Sequence, residues 1–212
     1  MNKNEHFVIT INRELGSGGR TVGEKLAAAL GVPFYDKALI QALQEKYELS
    51  VEEIERLKGR SHSWWAEFKR MMSIGYVMSQ SYYKQGFVQE PDLLITDEIF
   101  QVEQEILQGI AQSESCVIAG RLGFYAFRNH PNHLSIFITA PKEQRIQHLM
   151  DKRGISHDEA EDIIQQVDAM RENYVQKYAH TSRYDTRNYD FVISMEGKTE
   201  EEAVDLIMHY IG

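Results

Sequence analysis

Glu14-Leu15-Gly16-Ser17-Gly18-Gly19-Arg20-Thr21, near the start of the chain, has the make-up of an anion cradle. Holding a phosphate with the main chain requires several N–H groups to converge on one anion. Glycine reaches the backbone angles that allow this. A helix that starts directly after such a loop adds the positive end of its dipole. The octet matches the pattern Gly-x-x-x-x-Gly-Lys-Ser/Thr at Gly19 and Thr21, with Glu14 in place of the first glycine and Arg20 in place of the lysine. The chemistry this predicts is the binding of a nucleoside triphosphate such as ATP. Gly16, Ser17, Gly18, Gly19 and Arg20 would surround its phosphates, and the Thr21 hydroxyl would be a ligand for Mg2+. Arg20 keeps the positive charge but presents a fork where lysine presents a compact point charge. Glu14 repels phosphate unless it turns outward or pairs with a cation such as Arg13. The plainer alternative is a glycine turn that only joins a strand to a helix.

The elements around the octet are those such a loop needs. His6-Phe7-Val8-Ile9-Thr10-Ile11-Asn12 reads as a strand entering the loop, and Val22, Leu26, Ala29 and Leu30 recur at helical spacing up to Gly31. Val32 to Tyr35 is a short second strand. Residues 36–114 then read as helical, with a Ser50-x-x-Glu53 capping signature, an apolar Trp64-Trp65-Phe68-Met71-Met72 cluster and a helix through Ile99, Val102, Ile106 and Ile110. Further strands are expected at 115–119, 134–138 and 190–193. Each is followed by a helical segment, with Pro141 opening one helix and capping boxes at Ser156/Glu159 and Thr199/Glu202. Short apolar strands alternating with helices predict an α/β fold with a parallel sheet covered on both faces.

Three more segments carry candidate chemistry. Gly120-Arg121 leaves the end of an apolar strand, the place where α/β sheets bind ligands. Asp168 and Arg171 stand three residues apart on a predicted helix, so they share a face, as substrate contacts or as an ordinary ion pair. Asp36-Lys37 follows the second strand, where Asp36 could also cap the next helix.

Taken together, the segments Ile9 to Arg20, Gly31 to Lys37 and Val117 to Arg121 resemble the cytidylate kinase-like family of P-loop kinases. The resemblance runs over nearly the whole chain, least clearly between residues 55 and 92. It implies a three-layer α/β/α fold with a five-stranded parallel sheet in one domain, 1–212: a core of 1–35 and 115–212, a helical substrate-binding insert at 36–114 and a helical lid at 155–188. The activity it implies is ATP- and Mg2+-dependent transfer of a γ-phosphoryl group to a nucleoside monophosphate or similar small acceptor. Arg20, Arg121 and Arg171 would be catalytic, and Asp36, Lys37, Arg121, Asp168 and Arg171 would bind the acceptor. In the family an aspartate follows Gly-Arg and reads the cytosine base; Leu122 stands there, which argues against a CMP-specific site. Gln41 and Ala42 occupy the region where the family carries another arginine. These departures keep two alternatives open: a nucleotide-binding regulatory module without turnover, and a kinase of the same fold acting on a small-molecule hydroxyl.

Composition narrows the partners. The 212 residues carry a net charge of −9, which argues against a binder of extended nucleic acid. The excess is local: residues 36–114 carry −6 and residues 195–212 carry −4, whereas residues 115–194 are neutral. A small phosphorylated ligand therefore remains compatible with the arginine-bearing segments. Cys116 is the single cysteine, so no intrachain disulfide forms, in keeping with a reducing, cytoplasmic setting. No apolar run approaches the roughly 18 residues a membrane span needs. The Trp64–Met72 cluster is a core element, a wall over the substrate or a contact for a homo-oligomer.

Overall fold

The computed structural model describes residues 1–36, 40, 49–58 and 96–212. Lys37, Gln41, Ala42 and the Trp64–Met72 cluster lie outside the described residues. Two compact units make up the chain, one of Met1–Phe34 with Cys116–Gly212 and one of Tyr35–Ser115.

Strand β1 (Val8–Arg13) runs into the glycine loop, and α1 (Gly19–Leu30) follows, stopped by Gly31 in the left-handed region at φ 67°. After β2 (Phe34–Asp36), α2 (Val51–Lys58) and α3 (Asp97–Ser113) belong to the second unit. The first unit resumes with β3 (Cys116–Ala119), α4 (Gly123–Ala126), β4 (His133–Thr139), α5 (Lys142–Arg153) and α6 (His157–Ala179). A 3₁₀ turn at Thr186–Asn188, β5 (Phe191–Ser194) and α7 (Glu200–Ile211) complete it. The strands form one five-stranded parallel sheet in the order β2-β3-β1-β4-β5, with Ile9 beside Val117 and Leu134.

Side-chain alternation along the strands builds the core. Ile9 and Ile11 of β1, Val117 of β3 and Ile136 and Ile138 of β4 pack with Val22 and Leu26 of α1 and Val204 and Ile207 of α7. On the opposite parity of β1, Thr10 lies against Gly123 of α4, where a Cβ would sit 2.6 Å from the threonine methyl. A second, smaller cluster joins Ile146 and Leu149 of α5 to Ala160 and Ile164 of α6.

The boundaries shift from expectation for local reasons. Strand β2 starts at Phe34, not Val32, because Pro33 has no N–H to give the ladder; its carbonyl accepts the Val117 N–H at 3.0 Å. Pro141 is the cap of α5 and not its first helical residue, accepting the Arg145 N–H at 3.1 Å. His133, one residue before the expected strand, opens β4 opposite Val8. Thr96 caps α3, and of the three expected capping boxes those at Ser156/Glu159 and Thr199/Glu202 are formed in full, while Ser50 accepts the Glu53 N–H at 3.2 Å. No described helix is long and apolar enough to cross a membrane.

Candidate active site

The chemistry gathers at the C-terminal ends of β1, β3 and β4. Between β1 and α1 the chain bends through Gly16 and Gly18, both at φ 80°. Gly16 has a second reason to be glycine: a Cβ there would lie 2.6 Å from the Arg145 carbonyl oxygen. Ser17 turns its hydroxyl back to the Glu14 carbonyl at 2.9 Å. Among the described residues, the backbone N–H groups of Gly16, Gly18, Gly19 and Thr21 have no acceptor. Open amides at a helix N-terminus are the donors a phosphate chain requires, so the loop fits the phosphates of ATP. For Mg2+ the fit rests on the Thr21 hydroxyl and the ligand's own oxygens: no cluster of three His, Cys, Asp or Glu suited to a metal occurs among the described residues.

Glu14 is held away from Arg13. Its carboxylate accepts the Thr139 hydroxyl and the Ala140 N–H at 3.4 Å, and it lies 3.6 Å from the guanidinium of Arg145. The cation that offsets it is on α5, 131 positions along the chain from the acid. Arg20 points along α1, with Nη1 3.3 Å from Glu24 and its guanidinium 5.7 Å from the centre of the Phe34 ring.

Past β3, three successive residues are left-handed: Gly120 at φ 82°, Arg121 at 56° and Leu122 at 59°. Such backbone is uncommon outside glycine, and its run here aims Arg121 inward. Arg121 is 7% exposed and reaches Tyr174 of α6. Leu122 is buried at 2% exposure, so it is a core residue. Arg13 lies against this turn, its guanidinium filling the space a Cβ on Gly120 would need, while its own Cβ abuts Gly19.

Helix α6 and the segment that follows it bring in the remaining cations. Arg171 donates to the Arg13 carbonyl at 3.3 Å, and Arg183 donates to the same oxygen. Arg183 is 3% exposed; burial and the charge of Arg171 lower its pKa, opposed by Asp168. Asp168, 8% exposed, accepts the Leu15 N–H at 3.1 Å, Arg145 Nη1 at 2.5 Å and Arg183 Nη1 at 3.4 Å. Arg171, its neighbour one helical turn on, stands farther off at 3.9 Å.

Of the residues singled out in the sequence, the structure brings together Gly16 to Gly19, Arg121, Asp168 and Arg171. Arg20 is turned toward Glu24, Asp36 is buried at the end of β2 within the second unit, and Lys37 lies outside the described residues. Arg13, Arg145, Arg183 and Tyr174 complete the cluster. In sequence Arg183 and Tyr174 are only a cation and an aromatic downstream of Asp168-x-x-Arg171, and no local signal marks Arg145, whose partners are Leu15, Glu14 and Asp168.

The family model described as the cytidylate kinase-like family matches residues 8–197. Among solved structures, an uncharacterized protein from Eubacterium ventriosum ATCC 27560 is similar with a TM-score of 0.70 and 23% identity, covering 97% of this chain and 98% of that one. Shikimate kinase from Bacteroides thetaiotaomicron is similar with a TM-score of 0.51 and 18% identity, covering 97% and 98%. These likenesses show the shared P-loop kinase fold. No curated protein matches the sequence.

Proposed function

The chain belongs to the cytidylate kinase-like family, and from that premise we propose that it is a phosphotransferase moving the γ-phosphoryl group of ATP to a nucleoside monophosphate or a similar small phosphorylated acceptor. One observation carries this reading: four open loop amides lie at the same sheet end as Arg13, Arg121 and Arg171, which meet around Gly120 and the Arg13 carbonyl. Gly16 to Gly19 hold the phosphate chain, and Thr21 holds Mg2+, which supplies neutralisation of charge on the phosphate oxygens. Arg121 and Arg171 bind the acceptor's phosphate and stabilise the charge that develops during transfer. Holding both phosphates in line provides most of the acceleration, so an acceptor that is itself a phosphate needs no general base. The neutral charge of residues 115–194 favours a small anion over a nucleic acid.

A second reading, a nucleotide-binding module without turnover, draws on the pairing of Arg20 with Glu24 in place of a cation turned into the loop. Purified protein with ATP and Mg2+, tested against a panel of nucleoside monophosphates and small hydroxyl compounds beside a direct ATP-binding measurement, separates the readings. Turnover of a monophosphate that Arg121→Ala abolishes supports the phosphotransferase. Turnover of a hydroxyl compound alone moves the acceptor to that class, ATP binding without turnover supports the module, and no nucleotide binding overturns both.

A further inference from the structure

Resting on the reading above for its ligand, we propose that Asp168 and Arg145 are positioning residues that fix the entry of the phosphate loop, and that Asp168 is not a substrate contact. The two side chains take hold of one residue from both sides. Asp168 accepts the Leu15 N–H at 3.1 Å, Arg145 donates to the Leu15 carbonyl at 3.3 Å, and the carboxylate and guanidinium meet at 2.5 Å. Leu15 directly precedes Gly16, so the orientation of its peptide sets where the first open loop amide points.

Helix α5 extends the grip. His148, one turn beyond Arg145, bonds the Gly16 carbonyl at 3.0 Å, and the Arg145 backbone packs so closely on Gly16 that no Cβ fits. A carboxylate offers about four lone-pair positions. Leu15, Arg145 and Arg183 take three at Asp168, with Arg171 beside them at 3.9 Å, and the residue is buried at 8% exposure. That leaves a sugar hydroxyl at most one position, on a buried carboxylate already engaged by the loop and two arginines. Because Asp168 and Arg171 share α6, the helix that presents an arginine to the acceptor phosphate is the same one that braces the triphosphate loop.

Calorimetric titration of Mg2+-ATP into wild type, Asp168→Asn, Arg145→Met and the double variant tests this, with acceptor KM measured alongside. Each single change is expected to weaken ATP binding roughly tenfold. The double variant is expected to stay near that tenfold loss, short of the roughly hundredfold product that independent sites would give, while acceptor KM moves less than about twofold. A raised acceptor KM with unchanged ATP binding, or multiplicative losses, overturns the assignment. If Asp168→Asn does not fold, Arg145→Lys carries the same test, since it keeps the charge and loses the guanidinium that joins the Leu15 carbonyl to Asp168. If wild type itself binds no ATP, the proposed function fails, and amide exchange at Leu15 still decides the clamp: faster exchange in the variants supports it, and unchanged protection overturns it.

Discussion

The guanidinium of Arg121 lies over the ring of Tyr174, its central carbon 5.4 Å from the ring centroid and its Nη2 3.5 Å from the hydroxyl. Arg121 is the middle residue of a left-handed turn after β3 and Tyr174 rides on α6, so this contact ties the sheet end to the helix that also carries Arg171. A cation–π contact that is partly desolvated is worth about 0.5–2 kcal/mol. Tyr174→Leu is therefore expected to release Arg121 and raise acceptor KM roughly tenfold in steady-state kinetics, while Tyr174→Phe, which keeps the ring, stays within about threefold. Equal effects of the two variants would show that the hydroxyl, and not the ring face, holds Arg121.

Gly16 answers to two constraints at once, a φ of 80° and the Arg145 carbonyl 2.6 Å from where a Cβ would lie. A left-handed backbone costs a non-glycine residue about 1–2 kcal/mol, and the clash adds to it. Gly16→Ala is expected to lower the melting temperature by about 5–10 °C for a chain of this size and to abolish ATP binding measured below the transition. Gly154, also left-handed at φ 66° but with open space around it, is the control: Gly154→Ala is expected to cost only the backbone penalty and to leave ATP binding intact.

Tyr189 is a largely buried phenol bonded on both sides of its hydroxyl. Its hydroxyl accepts from Asn12 Nδ2 at 3.1 Å and donates to the Arg183 carbonyl at 2.7 Å, and burial pushes its pKa up to about 12. The unfolded chain loses the phenol proton near pH 10, so the folded state's preference for the neutral phenol is fully kept below pH 10. It is then lost as pH rises from 10 to 12, by about 3 kcal/mol in all. Tyr189→Phe is expected to remove this alkaline loss and to cost about 1–3 kcal/mol at neutral pH by leaving Asn12 and the Arg183 carbonyl short of a partner. Urea unfolding at pH 7.5, 10 and 11 measures both; an alkaline loss that persists in the variant would place its origin elsewhere.

What could be read from the sequence divides by the range of the interaction. The strands around Ile9, Val117 and Ile136, the loop glycines and the capping boxes at Ser156 and Thr199 are written in neighbouring residues, and they stand where expected. Gly120-Arg121 could be read because it follows an apolar strand directly. Arg145 and Arg13 could not, since Arg145 meets Leu15 across 130 positions and Arg13 takes its place from Gly120 and α6. Glu14 illustrates the limit: its need for a cation was plain from its charge, but the neighbour in sequence, Arg13, is not the one that supplies it. The direction of Arg20 was equally closed to sequence, because Phe34 reaches α1 only through the sheet.

His133 gives the acid counterpart of Tyr189. Its Nε2 lies 2.8 Å from the Thr10 hydroxyl at the opposite end of the sheet from the loop. Burial lowers its pKa to about 4, against the opposing charge of Asp190, with His130 adding to the depression. The unfolded chain takes up this proton near pH 6.5. The neutral imidazole's contribution is thus fully present above pH 6.5 and is lost as pH falls toward 4, about 3 kcal/mol over the range and at most about 1.4 kcal/mol per pH unit. The side chain that does this touches neither the phosphate loop nor the arginines, so ATP binding at pH 7.5 is expected to be the same in wild type and His133→Asn. Carboxylates destabilise most proteins at lower pH, so the diagnostic window is pH 6.5 to 5, where few of them titrate. Urea unfolding across that window is expected to show a steep loss in wild type and a flatter one in His133→Asn; parallel curves would mean that the buried imidazole is not what makes this fold sensitive to acid.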